Sequence, residues 1–259
     1  MVFRKCTIGG TAYRGDVKSS HDDEENAGSE ALSIVDVSTD QPTDGDSTTA
    51  MGDSSDEQRA PTLTGLEKFK DLALELDIAE ATRNENKPSD FSTTLIGFFT
   101  VLSLCHTVLA AKDPVTGEVE YKAQSPDEAA LVRAAADMGF GFLGKDRETL
   151  SLKIPGSENI EKYELLDILE FTSARKRMSI VVRKLNPQDD GGLLLLTKGA
   201  DNIIFERLRP GADEMKNETE RHLSEFANSG LRTLTLAYKP IPGSLSFQSL
   251  SSIFFLTGF

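Results

Sequence analysis

Two short runs of this chain carry residue types suited to holding a nucleotide. Phe171 is followed by Thr172-Ser173-Ala174 and then three consecutive cations, Arg175-Lys176-Arg177. The second run, Leu196-Thr197-Lys198-Gly199-Ala200-Asp201, ends a strand-like segment on a Lys and a Gly. An aromatic face can stack on a base, and clustered cations can pair with phosphate oxygens. Each residue also has a plainer explanation. On pattern alone Phe171 is a core aromatic, and Arg175-Lys176-Arg177 is a solvated turn or a minimal nuclear-localisation patch. Lys198-Gly199 marks a strand end. Glu128 is the acid of a capping box, with Ser125 as N-cap and Pro126 in the first helical turn. Together these residues put an aromatic, cations and a carboxylate at element ends, where ligands tend to bind.

The elements that position them follow from apolar spacing. Residues 118–123, 149–154, 163–169, 179–185, 193–197 and 233–238 read as strands, mostly joined by short polar or Gly/Pro turns such as Asn186-Pro187 and Gly191-Gly192. A further strand is expected within 2–11. Helices are expected over 64–78, over the apolar stretch 91–111, from Ser125 to about Met138, and over 199–208 and 213–228. The stretch 91–111 is about long enough to cross a bilayer. Its Ser, Thr and His residues and the lack of flanking basic clusters make it a buried helix instead. His106 within it reads as a structural histidine. Strands joined by hairpins, with helices in separate blocks, predict an α+β fold with an antiparallel β-sheet and packed helices.

Charge sets further bounds. The 259 residues include 42 acids and 28 bases, a net charge of -14. Residues 16–57 hold 13 acids and one Lys, a net of -12, which leaves the rest near neutral. No broad basic face is present, so no nucleic-acid partner is expected. Residues 16–60 lack Phe, Tyr and Trp and are predicted to be a disordered acidic insertion, with Ser38-Thr39 and Ser47-Thr48 as candidate phosphorylation sites. Cys6 and Cys105 fit no metal or redox spacing.

Gly139-Phe140-Gly141-Phe142-Leu143-Gly144 formally matches Gly-x-Gly-x-x-Gly, and with Lys145-Asp146 it falls one residue short of a P-loop. Both motifs need a strand before and a helix after. Here a helix precedes and a strand follows, so the segment is expected to be a helix C-cap and turn with buried aromatics.

The chain as a whole resembles the nucleotide-binding (N) domain of type IV P-type ATPases, the phospholipid flippases. The resemblance rests on Leu104 to Val108, Gln124 to Val132, Phe171 to Ser179, Lys198 to Asp201 and Gly230 to Leu234, in the order and spacing of that family. It covers about residues 1–242, and the acidic insertion resembles those of fungal members. It implies that Phe171 stacks on adenine, that Glu128 faces the adenine side while capping its helix, that Lys198 lies at the pocket floor near base and ribose, and that Arg232 pairs with phosphates. Arg175 to Arg177 would line or brace the pocket, and Cys105 and His106 are structural. The ligand implied is ATP, as Mg-ATP, with the Mg ligands outside this chain.

In the family an Asp within Asp-Lys-Thr-Gly-Thr becomes phosphorylated; that motif is absent here, so no catalytic residue is expected and the chain alone is predicted inactive. The implied partners are the phosphorylation and actuator domains of a parent ATPase, and phospholipid only through a membrane domain. The location implied is the cytosolic side of a membrane protein. Residues 1–15 would leave the phosphorylation domain, making Met1 an internal Met. Residues 61–243 would form the N domain, and 244–259, Ser/Phe/Leu-rich and uncharged, an aberrant tail from a truncated or mis-spliced gene model. The alternative is a non-catalytic acidic scaffold derived from an N domain.

Overall fold

A computed structural model describes residues 1–15, 68–83, 88–112, 119–185 and 192–241. The chain opens with a hairpin, β1 (Cys6–Ile8) and β2 (Thr11–Tyr13), followed by helices α1 (Leu72–Arg83) and α2 (Asp90–Leu104). A second hairpin, β3 (Leu109–Lys112) and β4 (Val119–Lys122), leads into α3 (Pro126–Asp137). Then come β5 (Gly141–Asp146), β6 (Thr149–Lys153), β7 (Ile160–Leu169), β8 (Arg177–Leu185), β9 (Leu193–Gly199), α4 (Asp201–Phe205), α5 (Asp213–Asn228) and β10 (Thr235–Ile241). β5 to β10 form one six-stranded sheet in which every neighbouring pair is antiparallel and consecutive in the chain. This is the α+β architecture that the strand spacing predicts.

The core lies between one face of that sheet and α2. Met178, Ile180, Val182 and Leu196 bury against the cluster containing Leu95, Phe99 and Leu102 of α2, and Phe99 stacks on Phe140 with ring centroids 4.8 Å apart. The other face carries a smaller cluster of Val181, Leu193, Leu195 and Ile241. β8 is therefore covered on both sides, which explains its continuous apolar run. α2 also lies close over β10: a Cβ on Gly97 would sit 2.5 Å from the Tyr238 ring, so only glycine fits there without displacing the tyrosine.

The first hairpin is tied down by polar contacts. Tyr13 donates to Asp77 Oδ2 at 2.5 Å, and the Gly15 N–H donates to Asp71 Oδ2 at 3.0 Å. Arg14 makes two hydrogen bonds to Glu225 on α5, at 3.0 and 2.9 Å. Gly15 and Asp71, which lie on either side of residues 16–67, are thus joined.

Several elements differ from the sequence expectations. The helix expected over 64–78 is α1, starting at Leu72, because the buried Asp71 takes the Leu74 N–H at its start. Its inward stripe is Leu74, Ile78 and Ala81, while Leu72 and Leu76 face outward at 60 and 63% exposure. The helix expected over 91–111 ends at Leu104, where His106 takes the Ser103 carbonyl and the chain turns into β3. The strand expected within 2–11 is a hairpin, turning at Gly9-Gly10. The helix expected over 199–208 is only the five residues of α4.

The capping box is also corrected. Ser125 makes no side-chain cap hydrogen bond, and both Glu128 oxygens are engaged away from the helix start. The glycine-rich segment does follow a helix, with Phe140 and Phe142 buried, but Gly141–Asp146 is a strand rather than a turn. Its register shift between Phe142 and Gly144 hides the usual alternation. The acidic insertion with its Ser-Thr pairs, the Asn186-Pro187 turn and the tail 244–259 lie outside the described residues. Among the described residues, no helix is long and apolar enough to cross a membrane.

Candidate functional site

Lys198 is the penultimate residue of β9 and pairs with Met178 on β8 and Leu236 on β10, so its side chain lies on the core face. It is only 8% exposed. An ammonium so placed needs a partner, since an isolated buried charge is costly. Glu128, in the first turn of α3, supplies it, with Oε1 2.6 Å from Lys198 Nζ. The other carboxylate oxygen accepts from Thr107 twice, from Oγ1 at 2.7 Å and from the backbone N–H at 3.2 Å. Burial works to raise the Glu128 carboxyl, but the hydrogen bonds from Lys198 and Thr107 and the Lys198 charge hold it below the ordinary value.

Thr107 is aimed by its neighbours. His106 Nε2–H donates to the Ser103 carbonyl at 2.8 Å, and the Val108 N–H donates to His106 Nδ1 at 3.0 Å. Those two bonds select one neutral tautomer and lock the turn after α2. Burial pushes the His106 pKa down to about 4, so the ring is uncharged near neutral pH. Cys105 lies beneath the sheet, its Sγ 3.8 and 3.7 Å from the carbonyl oxygens of Met178 and Leu196. Burial pushes its thiol up to about 12, which keeps it protonated and unreactive. Both residues are structural, as the sequence reading has them.

Arg232 lies between α5 and β10. Its Nη1 is 2.7 Å from Oδ2 of Asp127, the neighbour of Glu128, with side-chain exposures of 77 and 37%. The first turn of α3 therefore holds both Lys198 and Arg232 by adjacent carboxylates. Phe171 follows the end of β7, at the same end of the sheet: Leu169, Ser179 and Thr197 share one register row, and Phe171 is two residues beyond it. At 61% exposure it is no core aromatic.

The three-cation run divides. Arg177 pairs with Gly199 while Met178 pairs with Lys198, so Arg177 lies on the face opposite Lys198. Arg175 Nη1 donates to the Glu170 carbonyl at 2.8 Å, and Lys176 turns the chain at a φ of 50°. Gly199 has a steric reason: a Cβ there would lie 2.6 Å from both Arg177 Cβ and the Lys176 carbonyl oxygen. Of the four expected site residues, the structure joins Glu128 to Lys198 and brings Arg232 to the same helix turn through Asp127. Phe171 stands at the same end of the sheet.

Thr107 and Asp127 are the two members that the sequence reading did not single out. Both fall inside motifs recognised for other reasons, but no spacing rule says that residue 107 meets 128 or that 127 meets 232. Among the described residues no group of three or more His, Cys, Asp or Glu is arranged to hold a metal ion.

A family model described as P-type ATPase, cytoplasmic domain N, matches residues 94–255. The chain belongs to that family. Its curated relatives are phospholipid-transporting ATPases. It is 37% identical over 249 residues to probable phospholipid-transporting ATPase 11 of Arabidopsis thaliana, covering 93% of this chain and 18% of that protein. It is 40% identical to phospholipid-transporting ATPase IC of Xenopus tropicalis over 93% of this chain and 16% of the relative. With phospholipid-transporting ATPase ID of Mus musculus the identity is 48% over 144 residues, 56% of this chain and 11% of the relative. The N domain thus spans less than a fifth of the length of these relatives. They are plant and animal proteins, and the fungal expectation finds no support in them.

Proposed function

We propose that this N domain binds ATP at the sheet end framed by Phe171, Lys198, Glu128 and Arg232. The observation that carries the proposal is the first turn of α3, whose adjacent carboxylates hold one buried and one exposed cation at the end of the sheet where Phe171 stands out. An exposed ring is available to stack on adenine, and a buried, fixed ammonium can meet base and ribose. Arg232, a planar multi-donor cation on the solvent side, suits phosphate oxygens. Side chains rather than a phosphate loop then do the holding, so affinity in the millimolar range is expected, about 4 kcal/mol.

Mg²⁺ would arrive with the nucleotide, because Asp127 and Glu128 are already occupied by cations. Within a complete flippase the domain would position ATP for transfer of the γ-phosphoryl group to an Asp of the phosphorylation domain. Its partners there would be the phosphorylation and actuator domains, on the cytosolic side of the membrane, with lipid handled elsewhere. This sequence contains no Asp-Lys-Thr-Gly-Thr, so the chain alone is expected to bind nucleotide and not turn it over.

Calorimetric titration with Mg-ATP beside a phosphate-release assay tests this. Saturable binding, weakened in Phe171→Ala and Lys198→Ala, with no release, is the expected result. Steady release that survives both substitutions contradicts it. Absence of binding favours the acidic-scaffold alternative.

A further inference from the structure

We propose that Asp127 sets how strongly this site responds to the phosphate charge of its nucleotide, by competing with phosphate for Arg232. The inference rests on the ATP-site reading above. Its own observation is the 2.7 Å contact between Asp127 Oδ2 and Arg232 Nη1.

The two cations held by the start of α3 are in very different surroundings. Lys198 and Glu128 have side-chain exposures of 10 and 17%, and Thr107 satisfies the second carboxylate oxygen. That pair is fixed, and neither member can leave without stranding a buried charge. Arg232 and Asp127 are at 77 and 37%. This second pair is a solvent-screened contact that contributes little to folding and opens readily. Arg232 Nη1 meets one Asp127 oxygen, so a phosphate that takes this nitrogen competes with Asp127 for it. Once displaced, Asp127 leaves a negative charge beside a polyanion. Both effects oppose phosphate binding, and neither acts on the base or the ribose.

The consequence is selective. Replacing Asp127 by Asn frees Arg232 and removes the neighbouring negative charge while leaving Glu128, Lys198 and Phe171 untouched. Exposed ion pairs of this kind account for a two- to fivefold change in an equilibrium, at roughly 0.4 to 1 kcal/mol. The gain belongs to phosphate-bearing ligands alone.

The test compares adenosine, AMP, ADP and ATP on the full 259-residue chain by amide chemical-shift titration, for wild type, Asp127→Asn and Asp127→Glu. Asp127→Asn is expected to bind ATP two- to fivefold more tightly than wild type. The gain should grow from AMP to ATP, vanish for adenosine and shrink as salt is added. Asp127→Glu, which keeps the charge, is expected to stay near wild type. An unchanged or weakened ATP affinity in Asp127→Asn, or an equal gain for adenosine, overturns the role of Asp127 while leaving the site itself standing. A wild-type chain that shows no nucleotide-dependent shifts at Glu128, Phe171 or Lys198 overturns the site reading, and this inference with it.

Discussion

Thr107 and Glu128 are 21 residues apart in the chain and joined by two hydrogen bonds, from the Thr107 hydroxyl at 2.7 Å and its backbone N–H at 3.2 Å. Both end on one carboxylate oxygen, which leaves the other to face Lys198 at 2.6 Å. A turn locked by the buried His106 thus fixes the orientation of an acid in α3, and that acid fixes a lysine on β9. The charge at the candidate site is placed by a chain of contacts that begins in the core.

The Glu128–Lys198 pair is a place where loss of one partner costs more than loss of both. Glu128→Ala strands a lysine that is 8% exposed, and should lower stability by about 3 kcal/mol. Adding Lys198→Met removes the stranded charge and should recover at least a third of that loss. Urea unfolding of the two single variants and the double variant measures the coupling. Strictly additive losses would mean that the two residues do not interact in solution.

His106 should give the domain an acid-sensitive stability. Its pKa falls from 6.5 to about 4 on folding, through burial. Between those values the unfolded chain binds a proton that the folded chain refuses, so stability drops as pH falls from 6.5 toward 4. At about 1.4 kcal/mol per tenfold change in proton affinity, the full drop is about 3 kcal/mol. Glu128 acts in the same direction, because its lowered carboxyl loses its stabilising contribution as pH falls through its folded value. His106→Gln should be less stable at neutral pH yet lose less on acidification. Melting curves from pH 7 to 4 with identical slopes for both proteins would contradict the assignment.

Phe171→Ala should separate binding from folding. The ring is 61% exposed, so the substitution should change unfolding free energy by no more than about 0.5 kcal/mol. Aromatic stacking on a base is worth about 1–3 kcal/mol, so ATP affinity should fall at least fivefold. A large loss of stability would restore the core-aromatic explanation.

The acidic insertion should be removable. Gly15 and Asp71, on either side of it, are hydrogen-bonded at 3.0 Å, so a short linker can span the gap. Replacing the 50 residues 17–66 by about six Gly and Ser residues shortens the loop by three doublings. At about 0.6 kcal/mol each, the loop-closure entropy recovered is up to about 2 kcal/mol. Retained or raised melting temperature is the expected outcome; collapse of the fold would show that the insertion carries structure the rest depends on.

The sheet was largely legible because its strands alternate or run apolar between turn residues, and β6 to β10 fall within a few residues of their expected places. β5 was not legible, because a bulge beside Gly144 breaks the alternation that marks a strand. Helix ends were missed although local side chains set them: Asp71 takes the Leu74 N–H at the start of α1, and His106 bonds Ser103 and Val108 to close the turn after α2. The Glu128 error has a different, long-range origin. Ser125, Pro126 and Glu128 satisfy a local rule, yet Lys198, 70 residues away, competes for the carboxylate and wins. At the candidate site, the pairings among the expected residues were not legible. Sequence distance carries no sign that Thr107 meets Glu128 or that Asp127 meets Arg232.

The most direct test of the central claim is an amide chemical-shift titration of the wild-type chain with Mg-ATP. Shifts are expected to cluster at Glu128, Phe171, Lys198 and Arg232, to spread to Thr107 through its bonds to Glu128, and to need at least fivefold more ATP in Phe171→Ala. A flat titration, or shifts that persist unchanged in Phe171→Ala, would contradict the claim.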